Sequence, residues 1–174
     1  MAIQPTGRVV RDRRGLDLIL ERRMPVPAAE AWDWFTTPAL LKKWIGTYRG
    51  KPALGAEVTF TMTFEEGSGG SAVTILACEP QTRLTVRWVV GGDLWEVSVS
   101  FAELDGATTV FFDQRLSSAR EAGLIGPGWE FYLDCLLAAI DGTPRPEFDE
   151  YLATQQPYYE RVAMDGDPIS WPPS

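Results

Sequence analysis

An amphipathic segment near the C-terminal end, residues 126–140, constrains the fold of this chain more than any other feature. Its large apolar residues recur with the 3.6-residue period of a helix, at Trp129, Leu133, Leu136, Leu137 and Ile140. Pro127 is typical of a first helical turn, Gly142 predicts the helix end, and Glu130 and Asp134 lie off the apolar stripe. A helix of about four turns with one apolar face needs a large apolar surface to lie on.

The upstream sequence predicts a sheet that supplies this surface. Residues 16–23 alternate in part and predict a first strand, which two short helices at 27–36 and 38–44 follow. From Ala56 the period changes to two, and glycine-rich turns separate five further strands, at residues 58–64, 72–78, 84–90, 95–101 and 108–116. Short turns favour an antiparallel meander. Phe111 points away from its neighbours Val110 and Phe112, which suggests a cover on the second face as well.

The predicted fold class is α+β, with a curved six-stranded antiparallel sheet around a long C-terminal helix and two short helices after the first strand. Residues 1–14 are expected to form a flexible arm or a short edge strand, and residues 15–142 the domain itself. Residues 143–174 are expected to be partly helical, packed on the back of the sheet or on the long helix, or serving as a lid or dimer contact. Disorder is predicted from Asp165 to Ser174.

Charge and hydropathy exclude several classes of partner. The net charge of −8 and the pI of about 4.6 argue against nucleic acid and against an anionic membrane surface. A basic cluster at Arg8, Arg11, Arg13 and Arg14 is interpreted as a solvated segment. Neither a membrane-spanning apolar run nor a signal peptide is found, so membrane insertion is not expected and a cytoplasmic location is predicted.

Histidine and cysteine usage narrows the chemistry. The chain has no histidine, which excludes Ser-His-Asp and Cys-His catalysis as well as histidine-ligated metal sites. A carboxylate or tyrosine could still transfer protons, so an enzyme is disfavoured but stays open. Cys78 and Cys135 are predicted to be free thiols of a reducing compartment. No catalytic residue, metal or cofactor is predicted.

A curved sheet around a helix encloses space, and that space is a cavity unless aromatic rings fill it. Arg22 and Gln114 are polar groups that could orient a ligand there, or reach backbone or solvent instead. If the interior is filled, the inward residues are ordinary core. The residues predicted to face the space are Phe60, Met62, Trp88, Trp95, Val99, Phe101, Phe112, Gln114, Trp129, Leu133 and Leu136.

Four local motifs follow one another along the chain: Thr36-Thr37-Pro38 with Leu41 and Trp44, then residues 78–88, 108–114 and 126–137. The order of elements resembles the helix-grip fold of the START, or birch-pollen-allergen-like (SRPBCC), superfamily. The four motifs are similar to its branch related to the activator of heat-shock protein 90 ATPase, the AHSA1-like branch. Gln114 stands where that branch commonly has histidine, and the likeness covers roughly residues 14–142.

The resemblance implies a helix-grip domain over residues 15–142 and transfers no catalytic motif. Superfamily members bind lipids, hormones and polyketides, some cyclise or hydrate a substrate, and others serve chaperones. The leading hypothesis is binding of a small apolar or amphipathic molecule between sheet and C-terminal helix, without established catalysis. The alternatives are a chaperone-ATPase-activator-like module, with a chaperone or homodimer as partner, and a polyketide cyclase- or hydratase-like enzyme. Such an enzyme would need an acid–base pair, for example Tyr132 with Asp134 or Asp113.

Overall fold

A single twisted sheet forms the frame of the molecule. The structure, a computed structural model, describes residues 3–67, 69–165 and 167–168. The strands are β1 (Arg8–Asp12), β2 (Gly15–Met24), β3 (Gly46–Arg49), β4 (Glu57–Met62), β5 (Ser71–Glu79), β6 (Arg83–Val90), β7 (Asp93–Leu104), β8 (Ala107–Leu116) and a two-residue β9 (Asp167–Pro168). Their order across the sheet is β3-β4-β5-β6-β7-β8-β2-β1-β9. Every neighbouring pair is antiparallel except β1 with β9.

The predicted helix-grip architecture is confirmed, but the count of six strands is wrong. Leaving the two-residue β9 aside, the sheet has eight strands, because β1 and β3 join the six that were predicted. With five and four residues, these two strands are too short for a period of two to be read from the sequence. Residues 8–12 of the N-terminal arm thus pair with β2 in the sheet.

The helices are α1 (Ala28–Thr36), α2 (Pro38–Leu41), α3 (Ala122–Asp141) and α4 (Phe148–Asp165), with a short 3-10 turn at Ala119–Glu121. Both short helices after the first strand of the prediction are confirmed. The long helix α3 begins at Ala122, one turn before the predicted start, so Pro127 lies inside it. It ends as predicted, at Gly142 with a positive φ of 68°.

The glycines that were interpreted as a break before α3 instead allow close helix packing. A Cβ on Gly126 would lie 2.5 Å from the ring of Tyr159 on α4, and a Cβ on Gly123 would lie 2.6 Å from the side chain of Glu160. Because neither position carries a side chain, α4 can lie directly on α3. The C-terminal extension is therefore helical and packs on the long helix, which is one of the arrangements considered from the sequence.

The core includes residues from outside the predicted domain limits. Val9 of β1 and Tyr151 and Tyr159 of α4 belong to the same buried apolar cluster as the strands and α3. The divisions at residues 14 and 142 stay predictions. Most of the segment predicted as disordered, residues 165–174, lies outside the described residues. Phe111 on the convex face is 38% exposed, so the cover expected over it is absent from the described part of the chain.

The concave face of the sheet carries the buried residues, and α3 crosses it. Leu133 and Leu136 of α3 are 1% and 0% exposed, and they belong to the same buried cluster as inward residues of β2 and β8 such as Leu18 and Phe112. The short helices α1 and α2 lie on another part of the same face, with α1 against β7 and β8 and α2 beside β3. Among the residues described here, no helix is long and apolar enough to cross a membrane.

Candidate ligand-binding site

Two voids lie beside the concave face of the sheet. The first, the inner cavity, has a volume of about 330 Å³ and lies between β4–β8 and the short helices α1 and α2. Only Trp129 of α3 reaches it. The inner cavity is lined by Trp32, Phe35, Thr36, Leu41, Trp44, Ile45, Tyr48, Pro52, Ala53, Val58, Phe60, Val73, Ile75, Cys78, Pro80, Leu84, Val86, Trp88, Val97, Val99, Phe112 and Trp129.

The second void, the outer groove, has a volume of about 640 Å³. It lies between the N-terminal half of α3, the turn after β4, the β6–β7 turn and the segment that connects α3 to α4. The outer groove is lined by Ile45, Met62, Phe64, Glu65, Trp88, Val90, Asp93, Trp95, Glu121, Leu124, Ile125, Gly128, Trp129, Phe131, Tyr132, Arg145, Pro146, Glu147 and Phe148.

Two indole rings and Ile45 separate the inner cavity from the outer groove. Trp88 and Trp129 line both voids, and their ring centroids are 6.4 Å apart in an edge-to-face arrangement. Each ring is fixed by its N–H: Trp88 Nε1 donates to Ser71 Oγ at 2.6 Å, and Trp129 Nε1 donates to Gln114 Oε1 at 2.6 Å. The wall between the voids is therefore held by hydrogen bonds as well as by packing.

The inner cavity suits an apolar molecule. None of its lining side chains within the described residues is charged, and most are aliphatic or aromatic. Tyr48 already donates its hydroxyl hydrogen to the carbonyl oxygen of Thr36 at 2.9 Å, and burial raises the pKa of this phenol. The thiol of Cys78 is free and exposed at the edge. This lining can exclude water and bind apolar surface, but it has no acid–base pair.

Seven of the eleven residues predicted to face a cavity line one of these voids. Phe60, Val99 and Phe112 line the inner cavity, Met62 and Trp95 line the outer groove, and Trp88 and Trp129 line both. Phe101, Gln114, Leu133 and Leu136 line neither. As contacts to a ligand, all eleven stay predictions.

The four residues outside the voids are occupied by protein contacts. Phe101 packs edge-on against Trp32 and Phe35, with ring centroids 5.5 and 5.4 Å apart. Gln114 is fully buried and accepts the indole hydrogen bond, while its Nε2 has no partner within the described part of the chain. Leu133 and Leu136 are buried where α3 lies on the sheet, so no space is left beside them.

The contribution of α1 and α2 to the inner cavity was missed by the sequence analysis. Trp32, Leu41 and Trp44 form much of its roof, and Trp44 is held by a hydrogen bond from its Nε1 to the carbonyl oxygen of Trp34 at 2.9 Å. The apolar positions of the two short helices were the available signal. They show that each helix has a buried face, but they do not show which part of the sheet that face covers.

Arg22 is buried but does not point to a ligand. Its guanidinium pairs with Glu130 at 2.6 Å and with Asp134 at 2.8 Å, so these two α3 residues off the apolar stripe lie in a buried ionic network. Glu130 also accepts hydrogen bonds from the backbone N–H groups of Thr6 and Gly7 and from the hydroxyl of Tyr159. Burial opposes ionisation, but the Tyr159 hydrogen bond and the Arg22 charge outweigh it and hold the pKa of Glu130 below its usual range.

The acid–base pairs considered for an enzyme are not assembled. The Tyr132 hydroxyl donates to Glu65 at 2.7 Å, whereas Asp134 accepts from Arg22 and from the Tyr151 hydroxyl. Asp113 projects from the convex face of β8, away from both voids. Within the described residues, no cluster of three or more His, Cys, Asp and Glu side chains could hold a metal ion.

Comparison with known proteins gives a family. Residues 25–141 match the family described as Activator of Hsp90 ATPase homolog 1-like protein. The chain belongs to this family. The resemblance to the AHSA1-like branch of the SRPBCC superfamily is thus confirmed. None of the curated proteins matches this AHSA1-like chain.

Solved structures share the fold of the AHSA1-like chain. It is 25% identical to CalU16 from Micromonospora echinospora, with a TM-score of 0.74, over 94% of this chain and 99% of CalU16. It is 22% identical to the protein encoded by gene BPP1335 from Bordetella parapertussis, with a TM-score of 0.70, over 90% of this chain and 91% of that one. It is also 22% identical to DynU16, a protein of the dynemicin biosynthetic locus, with a TM-score of 0.65, over 76% of this chain and 50% of DynU16.

Proposed function

We propose that this AHSA1-like protein binds a small apolar or amphipathic molecule in the inner cavity. The observation that carries the proposal is a void of about 330 Å³ whose lining, among the residues that the structure describes, has many aromatic rings and no charged side chain. Concave, mostly apolar spaces of roughly 300 Å³ or more are typical of small-molecule sites. The site differs from the position expected from the sequence, because α1 and α2, and only Trp129 of α3, close it.

Fluorescence tests this proposal directly, since Trp44, Trp88 and Trp129 line the inner cavity. The probe is N-phenyl-1-naphthylamine, which is neutral and apolar. We expect saturable quenching of tryptophan emission together with increased probe emission. Quenching that stays linear with probe concentration, without a plateau, would count against a cavity site.

A cavity-filling variant locates the binding. Val99 faces the inner cavity from β7, so Val99→Phe should fill part of the void and reduce probe affinity. Ser100 is the next residue and faces the convex side, where it pairs with Phe111 of β8. Ser100→Phe adds the same ring outside the cavity and should leave probe affinity unchanged. Equal losses in both variants would contradict binding in the inner cavity.

A chaperone-interaction role is the second candidate, and exposed apolar side chains favour it. Leu124, which lines the outer groove, is 62% exposed, and Leu94 on β7 is 65% exposed. The family is described by an activator of the Hsp90 ATPase. In a test, the protein is added to an Hsp90-class ATPase and turnover is measured. Stimulation that Leu124→Ser abolishes would support the role, whereas unchanged turnover would leave ligand binding as the function.

The remaining proposals come from the sequence alone. We propose a cytoplasmic location, and a homodimer or a chaperone as the protein partner. Light scattering during gel filtration distinguishes a dimer from a monomer of 19.3 kDa. Fractionation of cells that produce the protein tests the location.

A further inference from the structure

The outer groove differs in charge from the inner cavity. Its lining includes the apolar side chains of Met62, Trp95 and Trp129, as in an ordinary apolar site. Unlike the inner cavity, it also has charged side chains, with one guanidinium, that of Arg145, and four carboxylates. The carboxylates belong to Glu65, Asp93, Glu121 and Glu147.

Arg145 shows what the aromatic side of this groove can bind. Its guanidinium carbon lies 3.5 Å from the ring centroid of Phe64, 5.0 Å from that of Phe131 and 5.9 Å from that of Tyr132. We call these three rings the aromatic cage. A cation within about 6 Å of a ring centroid is attracted by the negative face of the ring. The cage thus contains a cation, and that cation belongs to the chain itself.

The guanidinium of Arg145 packs against aromatic rings and does not pair with a carboxylate of the described residues. In the described part of the chain it forms no ion pair, and its one hydrogen bond runs from Nη1 to the carbonyl oxygen of Trp44 at 3.4 Å. It lies on the segment between α3 and α4, outside both helices. An external cation that displaced its side chain would take its place between the rings.

The four carboxylates make the groove negative overall. Within the described residues none of them forms an ion pair, so their charges are not neutralised by neighbouring lysines or arginines. Glu65 accepts a hydrogen bond from Tyr132, a member of the cage, which places this carboxylate beside the rings. The whole chain carries a net charge of −8, which also favours the approach of cations.

We propose that the outer groove is a second ligand site, which binds an amphipathic organic cation with an alkylammonium or guanidinium group. The cation enters the aromatic cage in place of Arg145, near Glu65, and the apolar part lies along Trp95, Trp129 and Met62. The proposal is independent of ligand binding in the inner cavity, because only Ile45, Trp88 and Trp129 line both voids.

Two amphiphiles of equal chain length test the charge preference. Decyltrimethylammonium and decyl sulfate, both below their micelle concentrations, are titrated into the protein by calorimetry. We expect saturable binding of the ammonium compound, about tenfold or more tighter than any binding of the sulfate. Added salt should weaken it, because the rim carboxylates are exposed to screening. Equal affinity for both compounds, or preference for the sulfate, would overturn the proposal.

Substitution of Arg145 tests the exchange of cations. Arg145→Ala vacates the cage and should tighten ammonium binding by about threefold to tenfold. The matched control is Arg161→Ala, since Arg161 lies 5.7 Å from the ring centroid of Tyr158 on α4 and does not line the groove. This control should leave the affinity unchanged. A loss of affinity in Arg145→Ala that the control does not share would show that Arg145 holds the ligand, and would refute the exchange.

Substitutions of two carboxylates that line the outer groove keep the test valid if Arg145→Ala unfolds. Glu65→Gln and Glu147→Gln keep the size of the side chain and remove one negative charge each, so both should weaken ammonium binding. Val99→Phe, which fills the inner cavity, should leave it unchanged, so the two sites can fail separately. If neither rim variant changes the affinity, the carboxylates do not recognise the cation and the proposal is wrong.

Discussion

The concave face of the sheet is packed solid along one half and hollow along the other. Over β2 and β8, the C-terminal half of α3 lies on the sheet, and Leu133 and Leu136 are almost fully buried. Over β4 to β7, the covering elements are α1 and α2, which leave a void of about 330 Å³. Strands of both halves carry alternating buried residues, for example Leu18 and Leu20 on β2 and Val97 and Val99 on β7.

The two halves differ in the contacts that fix the covering helices to the sheet. On the packed half, Arg22 on β2 pairs with Glu130 and Asp134 on α3, and the N-terminal segment and α4 add hydrogen bonds through Thr6 and Tyr159. Over the hollow half, α1 and α2 have nine and four residues and span too little of the sheet to fill it. A ligand site can therefore form where short helices cover strands that extend beyond them.

The largest effect is expected from a substitution that breaks the ionic network of the packed half. Arg22→Met keeps most of the apolar volume of the side chain but leaves Glu130, which is 1% exposed, charged and without its cation. We expect a loss of about 3–5 kcal/mol in the free energy of unfolding, because the desolvated carboxylate loses its compensation. Urea denaturation followed by far-UV circular dichroism measures it.

A surface ion pair provides the control for this prediction. Arg8 pairs with Glu21 at 3.2 Å, and both side chains are about half exposed. Arg8→Met should therefore change stability by about 1 kcal/mol or less. If Arg22→Met cost no more than Arg8→Met, the network would not be what holds α3 on the packed half.

A matched pair of valines measures the packing of the two halves. Val110 on β8 is 1% exposed and borders neither void, whereas Val99 on β7 is 5% exposed and lines the inner cavity. We expect Val110→Ala to cost about 2–3 kcal/mol and Val99→Ala about 1 kcal/mol less, since Val99 already lacks neighbours on one side. Thermal and urea unfolding of both variants give the difference. Equal costs would mean that the inner cavity is not a true void.

The sequence predicted the fold because its periods are long and clear. The alternation of Val58, Phe60 and Met62 and the stripe of Trp129 and Leu133 indicated the sheet and the long helix. The short strand β3 was missed and β1 was only one of two alternatives for the N-terminal arm, since four or five residues carry too little periodicity. The interruption by Gly126 and Pro127 was misread as a helix start, although the glycine serves the contact with Tyr159.

The candidate site was harder to predict because periodicity gives only the direction of a side chain. It directed both Val99 of β7 and Leu136 of α3 into the space between the sheet and the helices. Val99 borders a void, however, whereas Leu136 lies in solid core. Which of them faces empty space depends on where α1, α2 and α3 end over the sheet. That is a property of long-range packing, so neighbouring residues in the sequence carry no signal for it.

The pH dependence of stability separates the contribution of the convex face of β8 from that of the packed half. Asp113 lies on the convex face, where burial and the charges of Asp17 and Glu96 raise its pKa from 3.8 to about 6. Between about pH 4 and 6 the unfolded chain releases this proton while the folded protein keeps it, so stability falls as the pH rises. Because Asp113 is only partly buried, solvent screening reduces the loss to about 1–2 kcal/mol, less than the full shift would give at about 1.4 kcal/mol per pKa unit.

Asp113→Asn isolates the opposite contribution from the packed half. The variant should abolish the decline between about pH 4 and 6, measured as urea midpoints across that range. What remains should include the contribution of Glu130, whose lowered pKa stabilises the fold above the ordinary carboxylate pKa and is lost as the pH falls through the lowered value. A decline of the same size in Asp113→Asn would show that another group causes it.

The last prediction concerns the wall between the inner cavity and the outer groove. Trp129→Phe keeps an aromatic ring at the end of the inner cavity but removes the donor to Gln114 Oε1. Gln114 is fully buried and its Nε2 already has no partner among the described residues, so the whole amide would be left unsatisfied. We expect a cost of about 1–3 kcal/mol. Adding Gln114→Leu to this variant should recover part of it, since the unsatisfied amide is then gone. No recovery would mean that the indole acts through its volume alone, and the wall would then be held by packing like the rest of the filled half.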